Sequence, residues 1–511
     1  MKRYAVFLLL AFVTFLCLFF IKGQKGNPVY FQTERNIKLG GPFELSNGAS
    51  RFALTESIVE SNTFFLDEKL AKFGSPDVVD YKGKFFSIFT PGVSFVGVPF
   101  YILGKQFGMQ QLFAYFSVTL FAVLNFYLVA KLAWKFGASF YAGIISGLVF
   151  LFGTNALVYA FNFTQHHVST AIILLLLLNA FGKRTLVTNI VFGALVGAAA
   201  LVDIPNLIMI APIAFYVFYK NISFSNLAGR LTLRVKLGIL GLIIGLLPLF
   251  AVLLFYNKAT AGSYFKLAQN IGRTHFFRES LPPRDAADLN LNEDQTVVEQ
   301  KEPKLISLPF NTRNLSNGFY ILFLSNERSW LFYSPVLLVG FWGFWFIYKK
   351  GENNNLLAIA VSVVALDFTT YSMFGDVWGG WAFGSRYLIP AAAVTIVGVG
   401  AVLDKFRKNK FVIIAISVLI AYGVYISLSG ALTTSAVPPR VEAKNLTYRI
   451  PYTYKYNFRL IEQNFSGSLI YNLFFQNLIP LRVYYFALNI VVLALVLSVL
   501  FGLYHLKEER H

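Results

Sequence analysis

Four short stretches set ionisable and aromatic residues against long apolar runs: "GDVWGGWAFGSRYLIP" (Gly375 to Pro390), "FNFTQHHVST" with His166 and His167, "LVDIPN" with Asp203, and "NERSWLFYSP" with Glu327 and Arg328. Ionisable residues at membrane level are expensive and are functional candidates by default. Arg386 stands where a helix enters lipid. It reads either as a snorkelling side chain beside a headgroup-level belt of Trp378 and Trp381, or as the partner of an anion, for which a phosphate is the natural choice at that depth. The glycines of that stretch permit tight turns. A fifth stretch, "ASRFALTESIVESN", reads as an amphipathic helix over Ser50 to Ser61, with Phe52, Ile58 and Val59 on an apolar side and Glu56 and Glu60, four apart, on a polar one. It is either a helix lying on the membrane surface or a carboxylate-bearing roof over a cavity. The paired histidines suit a cap or a hydrogen-bond partner better than a metal. No HExxH, DxD, Walker loop or GxSxG accompanies them, so no metal or cofactor is implied.

The elements that must position these residues follow from composition. The chain has 511 residues, 56% hydrophobic and 14% charged, with mean hydropathy +0.59, and apolar runs of spanning length recur from end to end. The class is an all-α polytopic membrane protein. A net charge of +19 does not indicate nucleic acid, because the basic residues fall in short clusters between apolar runs and serve as topology signals. Cys17 stands alone in the first apolar run, which excludes an intramolecular disulfide framework. That run is long and lacks a small-x-small cleavage site, so it reads as an uncleaved first span.

About twelve spans are expected, at roughly 4–21, 110–130, 139–160, 167–182, 186–202, 205–219, 237–256, 330–348, 355–374, 387–403, 411–430 and 483–504. The run Val93 to Leu103 is short and holds Pro99. Were it to cross, Lys183, Arg184 and every later basic cluster would flip sides, so it is placed in the interface or as a re-entrant element. Both termini and all basic clusters then share the cytoplasmic side, and three long loops, about 22–109, 257–329 and 431–482, share the outer face. Pro282 to Lys304 reads as mobile. "TYRIPYTYKYNFRL" alternates Tyr with Lys and Arg, as an interfacial strand or a sugar-contacting surface would. Two parts are expected: residues 1–404 as a catalytic module, and residues 405–511 as C-terminal helices with the third loop.

The order of these features resembles the GT-C glycosyltransferase superfamily, especially the bacterial relatives of protein O-mannosyltransferases and of aminoarabinose transferase. The resemblance is carried by "SRFALTESIVESNTFF", "YKGKFFSIFTPGVSFVGVPFYILGK", "GALVGAAALVDIP", "FYNKATAGS", "RSWLFYSPVLLVG" and "WGGWAFGSRYLIP", and covers the chain to about residue 400. It implies a transferase that takes a sugar from a polyprenyl-phosphate carrier and passes it, with inversion, to a lipid, glycan or protein acceptor. The chemistry needs a carboxylate base and cations for the departing phosphate. By this resemblance Arg51 and Arg386 are phosphate partners, with Lys84 and Arg328 behind them. Many relatives carry an acid near the start of the first-loop helix, where this chain has Asn47. A second acid at the outer end of a later span is replaced by His166 or His167. The base is then expected at Glu56, with Glu44 and Asp203 next in order. A non-catalytic sugar-lipid binder or scaffold, and less so a transporter or flippase, are the competing readings. Residue usage points to a bacterial inner membrane.

Overall fold

The computed structural model describes residues 2–23, 39–227, 230–275, 297–300, 309–446 and 450–505. In chain order its helices are α1 (Lys2–Leu18), α2 (Ser46–Glu60), α3 (Glu68–Gly74), α4 (Gly92–Lys105), α5 (Gln110–Lys135), α6 (Phe140–Phe152), α7 (Ala156–Tyr159), α8 (His166–Ala180), α9 (Leu186–Val202), α10 (Asn206–Lys220) and α11 (Gly238–Ala261). They continue as α12 (Leu315–Phe319), α13 (Trp330–Tyr333), α14 (Val336–Lys350), α15 (Asn354–Ser372), α16 (Ile389–Thr395), α17 (Val397–Phe406), α18 (Lys410–Leu432), α19 (Arg440–Asn445), α20 (Lys455–Glu462) and α21 (Leu481–Tyr504). Three antiparallel hairpins interrupt them: β1 (Val78–Tyr81) with β2 (Lys84–Ser87), β3 (Ile222–Leu227) with β4 (Arg230–Val235), and β5 (Gly272–His275) with β6 (Val297–Gln300).

Among the described residues six helices are long and apolar enough to cross a bilayer unaided: α5, α11, α15, α16 with α17 as Arg386–Phe406, α18 and α21. The other expected spans appear as shorter apolar helices or as helices broken by irregular turns, as where Pro335 separates α13 from α14. The chain is an integral membrane protein. Local sequence sets the boundaries. Ser139 and Asn409 cap α6 and α18, and Thr185 with Thr188 forms a capping box for α9. In lipid there is no hydrophobic drive between helices, so close backbone approach matters more. At the crossing of α14 and α17 a Cβ added to Gly343 would meet the Gly398 carbonyl at 1.8 Å. One added to Gly193 on α9 would meet the Leu242 carbonyl of α11 at 2.1 Å. One buried apolar cluster runs from Val13 to Leu503, so the C-terminal helices join the same core.

The bundle has two distinct ends. At one, the long loops pack on each other: Lys22 donates to the Thr433 carbonyl, Ser75 donates to the Thr274 carbonyl, and Arg328 donates to the Val437 carbonyl. At the other, Ser139 donates to Asp404 and Lys350 to the Gly137 carbonyl, and the basic clusters lie nearby. The helix α4 stays at the loop end. A Cβ on Gly92 would meet the Leu201 carbonyl at 2.5 Å, and Lys105 pairs with Glu60 of α2 at 2.6 Å. Both of its ends therefore touch loop-end elements, as the charge argument requires of a segment that does not cross.

The first-loop helix differs from its expected form. It begins at Ser46 rather than Ser50, and Ser46 through Thr55 are all buried. A helix on the membrane surface would keep one polar face wet along its length, whereas α2 is enclosed by α3, α4 and β2. Of the stretch expected to be mobile, Val297–Gln300 forms β6 and the rest lies outside the described residues.

Candidate active site at the loop end

Burial of α2 carries Arg51 into the protein, 1% exposed. Its Nη1 donates to the Asn47 carbonyl at 2.9 Å, and its guanidinium carbon stands 3.7 Å from the centre of the Phe89 ring. The helix is fixed around it: Ser94 of α4 donates to the Arg51 carbonyl at 2.9 Å, and Ser50 donates to the Asp77 carbonyl at 2.6 Å. Burial pulls the guanidinium down to about 10; Asp203 and then Asp77 support its charge, while Arg386 opposes it. Thus charged groups from three other segments act on Arg51.

Asp203 closes the C-terminus of α9 and accepts from Gln165 at 3.3 Å. Burial raises its carboxyl to about 6, against the lowering effects of Arg51 and Gln165. Asp77 follows Pro76, accepts from Ser46 at 2.8 Å, and meets Arg273 of the second long loop at 3.4 Å. His166 is buried at the start of α8 with its Nε2 unpartnered, and the Asn47 Oδ1 and the Arg51 Nε are likewise buried without partners. Buried polar atoms are nearly always satisfied, so such a group of orphans makes this place a candidate for binding a ligand's polar atoms.

The glycine-rich stretch between α15 and α16 delivers Arg386 to the same place. The Tyr159 hydroxyl accepts from the Phe383 amide at 2.9 Å, which anchors the stretch to α7. Gly379 has φ +71°, and a Cβ there would stand 2.9 Å from the Arg386 Nε, so a side chain at 379 would displace the guanidinium. Arg386 lies 5.3 Å from the Tyr387 ring, which stacks on Tyr371 at 4.4 Å and meets His166 edge-on at 6.1 Å. Among the described residues neither Arg51 nor Arg386 forms a salt bridge. One buried and one half-buried cation beside an acid of raised affinity for protons can hold an anion and take a proton from a neighbouring nucleophile.

Of the residues singled out from sequence, Arg51, Arg386, Asp203, His166 and Asn47 come together. Others do not. Glu56 is five residues beyond Arg51, about 140° round the helix. It looks towards Lys69, Asp67 and Glu60, and burial followed by Glu60 raises it to about 7. The expected first choice of base therefore faces away from the arginines. Glu44 is saturated: it accepts from the Gly40 amide at 2.7 Å, from the Ser435 amide at 2.8 Å and from the hydroxyls of Ser435 and Thr434. It clamps the first long loop to the third. Arg328 is equally spent, donating to the carbonyls of Glu327, Trp378, Gly380 and Val437. His167 is held by the Ala156 carbonyl at 2.8 Å and by Asn125. Lys84 sits exposed on the β1–β2 hairpin, 4.6 Å from the Phe65 ring.

The two tryptophans are pins rather than a headgroup belt. The Trp378 indole donates to Glu327 at 2.9 Å, and Trp381 is buried with its indole donating to Glu442. Asp367, within α15, accepts from the Ala391 amide at 3.0 Å and ties two helices together. Asp77 and Gln165 were not singled out from sequence. The only signal for Asp77 is an acid set between Pro76 and the apolar pair Val78 and Val79. Among the described residues no three His, Cys, Asp or Glu side chains gather as a metal set.

No family model matches the sequence, and no curated protein matches it. The chain is similar to two solved structures of ArnT from Cupriavidus metallidurans, both at 12% identity. The apo structure is matched over 99% of this chain and 76% of its own, with a TM-score of 0.45. The one bound to undecaprenyl phosphate is matched over 98% and 75%, with a TM-score of 0.46. Neither likeness assigns a function.

Proposed function

We propose that this protein is an integral membrane glycosyltransferase of GT-C type, moving a sugar from a polyprenyl-phosphate carrier to a hydroxyl or amine on a lipid, glycan or protein, with inversion. The observation that carries the proposal is the meeting of Arg51 and Arg386, neither in a salt bridge among the described residues, with Asp203 at the loop end of the bundle. The ordered sequence resemblance supports it independently.

In this reading the carrier's phosphodiester lies against the two guanidinium groups, and its isoprenoid runs into the bilayer. The acceptor oxygen or nitrogen attacks the anomeric carbon from the face opposite the phosphate. The bond from that carbon to the phosphate oxygen breaks, and the acceptor's proton passes to the Asp203 carboxylate. The carrier leaves as a phosphate monoester, whose added negative charge the fixed cations stabilise; one such preorganised donor contributes about 3–4 kcal/mol in comparable sites. Asp77 supports the charge of Arg51, and the free atoms of Asn47 and His166 are placed to bond substrate oxygens. Because Asp203 supplies a base, Asn47 need not act as one. That removes the motive for a non-catalytic scaffold. A transporter would place its polar groups at the midplane, whereas these lie at the loop end. By the positive-inside rule the loop end faces the exterior or periplasm, with both termini in the cytoplasm of a bacterial inner membrane.

The test is release of free polyprenyl phosphate by protein reconstituted in liposomes with undecaprenyl-phosphate-linked hexose and pentose donors and hydroxyl- or amine-bearing acceptors. Acceptor-dependent release with inverted product stereochemistry is expected. Its absence with every donor, from protein that keeps its melting transition, would overturn the proposal.

A further inference from the structure

The basic segment Lys405, Arg407, Lys408 and Lys410 has no part in the site at the loop end. It borders a crevice of about 170 Å³ between the basic ends of α18 and α21. The two helices are joined nearer the loop end, where the Tyr485 hydroxyl donates to the Tyr425 carbonyl at 2.6 Å. Towards the basic end they separate: Gly502 of α21 abuts Tyr141 of α6, where an added Cβ would stand 2.6 Å from the ring. The space beside α18 is lined by Ile413, Ile414, Leu500 and Leu503, together with Arg407 and Lys410 at the turn into α18 and Tyr504 at the end of α21. The one acid of this segment, Asp404, is turned inward, where both the amide and the hydroxyl of Ser139 donate to it.

We propose that this crevice is a binding site for an anionic phospholipid, which lays an acyl chain along Ile413, Ile414, Leu500 and Leu503 and sets its phosphate between Arg407 and Lys410. Three features line one crevice: four apolar side chains, two cations at the turn into α18, and a half-exposed tyrosine at the end of α21. A phospholipid has that sequence of chemistry along its length. The charge of the segment favours an anionic headgroup over a zwitterionic one, because four basic residues stand against a single acid, Asp404, which Ser139 holds and which also feels Arg407. The site lies at the opposite end from Arg51 and Arg386 and does not depend on the glycosyltransferase reading. Its occupant bridges the last span to the α17–α18 turn.

The test measures binding of phosphatidylglycerol and phosphatidylcholine of identical acyl chains to the full-length protein in neutral detergent, by native mass spectrometry. Phosphatidylglycerol is expected to bind at least tenfold more tightly. Arg407→Gln with Lys410→Gln is expected to abolish that preference, since each basic residue near the headgroups contributes about 1 kcal/mol, close to fivefold. Lys183→Gln with Lys349→Gln removes the same charge from elsewhere at the basic end and is expected to keep the preference. Ile414→Trp keeps both cations, fills the slot and is expected to weaken both lipids, so it decides the matter should the double variant fail to fold. Equal binding of the two lipids, an equal loss in the Lys183 and Lys349 control, or unchanged binding by the tryptophan variant would each overturn the proposal.

Discussion

Two arginine-bearing regions sit side by side at the loop end, and their difference separates structure from function. Arg328 is fully buried and spends its donors on the carbonyls of Glu327, Trp378, Gly380 and Val437. Arg51 and Arg386 are also drawn in from water, yet each keeps an unpartnered Nε and neither meets a carboxylate in a salt bridge. The acids divide in the same way. Glu44 is saturated by four donors, whereas Asp203 has one weak side-chain partner and a raised proton affinity. Residue type does not tell a strut from a site. The number of hydrogen bonds left over does.

The largest effect is expected at Asp203. Asp203→Asn should slow transfer by roughly 10²–10⁴-fold, the range for loss of a general base, with the fold retained. In the wild-type protein the rate should rise with pH through about 6 as the carboxyl ionises. Stability runs the other way. A carboxyl raised to about 6 from its usual 3.8 binds more protons folded than unfolded between those values, so wild-type stability should fall as pH climbs from about 4 to about 6 and level off above. Melting curves of Asp203→Asn across that window should show a smaller fall, the remainder coming from Glu56, which is raised to about 7; a fall of the same size in the variant would remove Asp203 from this role.

Next comes the strut. Arg328→Met leaves four carbonyls without their donor and should destabilise the protein by roughly 3–5 kcal/mol, read as a lowered thermal midpoint. A variant as stable as the wild type would erase the distinction between the two arginine regions. Glu44→Gln is smaller. It keeps the shape but swaps one acceptor oxygen for a donor facing either the Gly40 amide or the Ser435 amide, and about 1–3 kcal/mol should be lost. Transfer per folded molecule should stay the same. The smallest effect belongs to Glu56→Gln, which should change transfer by less than about twofold, since Glu56 faces away from the cluster. A hundredfold loss there would return the base to the position first expected from the sequence.

Much of the architecture is written in local pattern. Apolar length and basic clusters locate the helices, and charge together with its short length places α4 at the loop end. Arg51, Arg386 and Asp203 stand out individually because ionisable residues beside apolar runs are costly. Their meeting does not stand out, because it depends on three loops folding over one end of the bundle. The fate of Glu44 and Arg328 depends on backbone carbonyls and amides of the third loop, which have no signature in side-chain identity. Glu56 is different. Its position five residues from Arg51 already sets it on another face of the helix, and buried Ser46 to Thr55 show that the amphipathic pattern understates how deeply α2 is enclosed. Asp77 is hidden by its neighbours, since a lone acid before an apolar strand resembles an ordinary turn residue.

The most direct measurement is the affinity of the purified protein for undecaprenyl phosphate, comparing wild type with Arg386→Gln at matched thermal midpoints. Micromolar binding by the wild type, weakened at least tenfold in the variant, is the expected result and would place the carrier's phosphate against the two guanidinium groups. Equal binding by both proteins would contradict the account, leaving Arg386 as one more structural arginine beside Arg328.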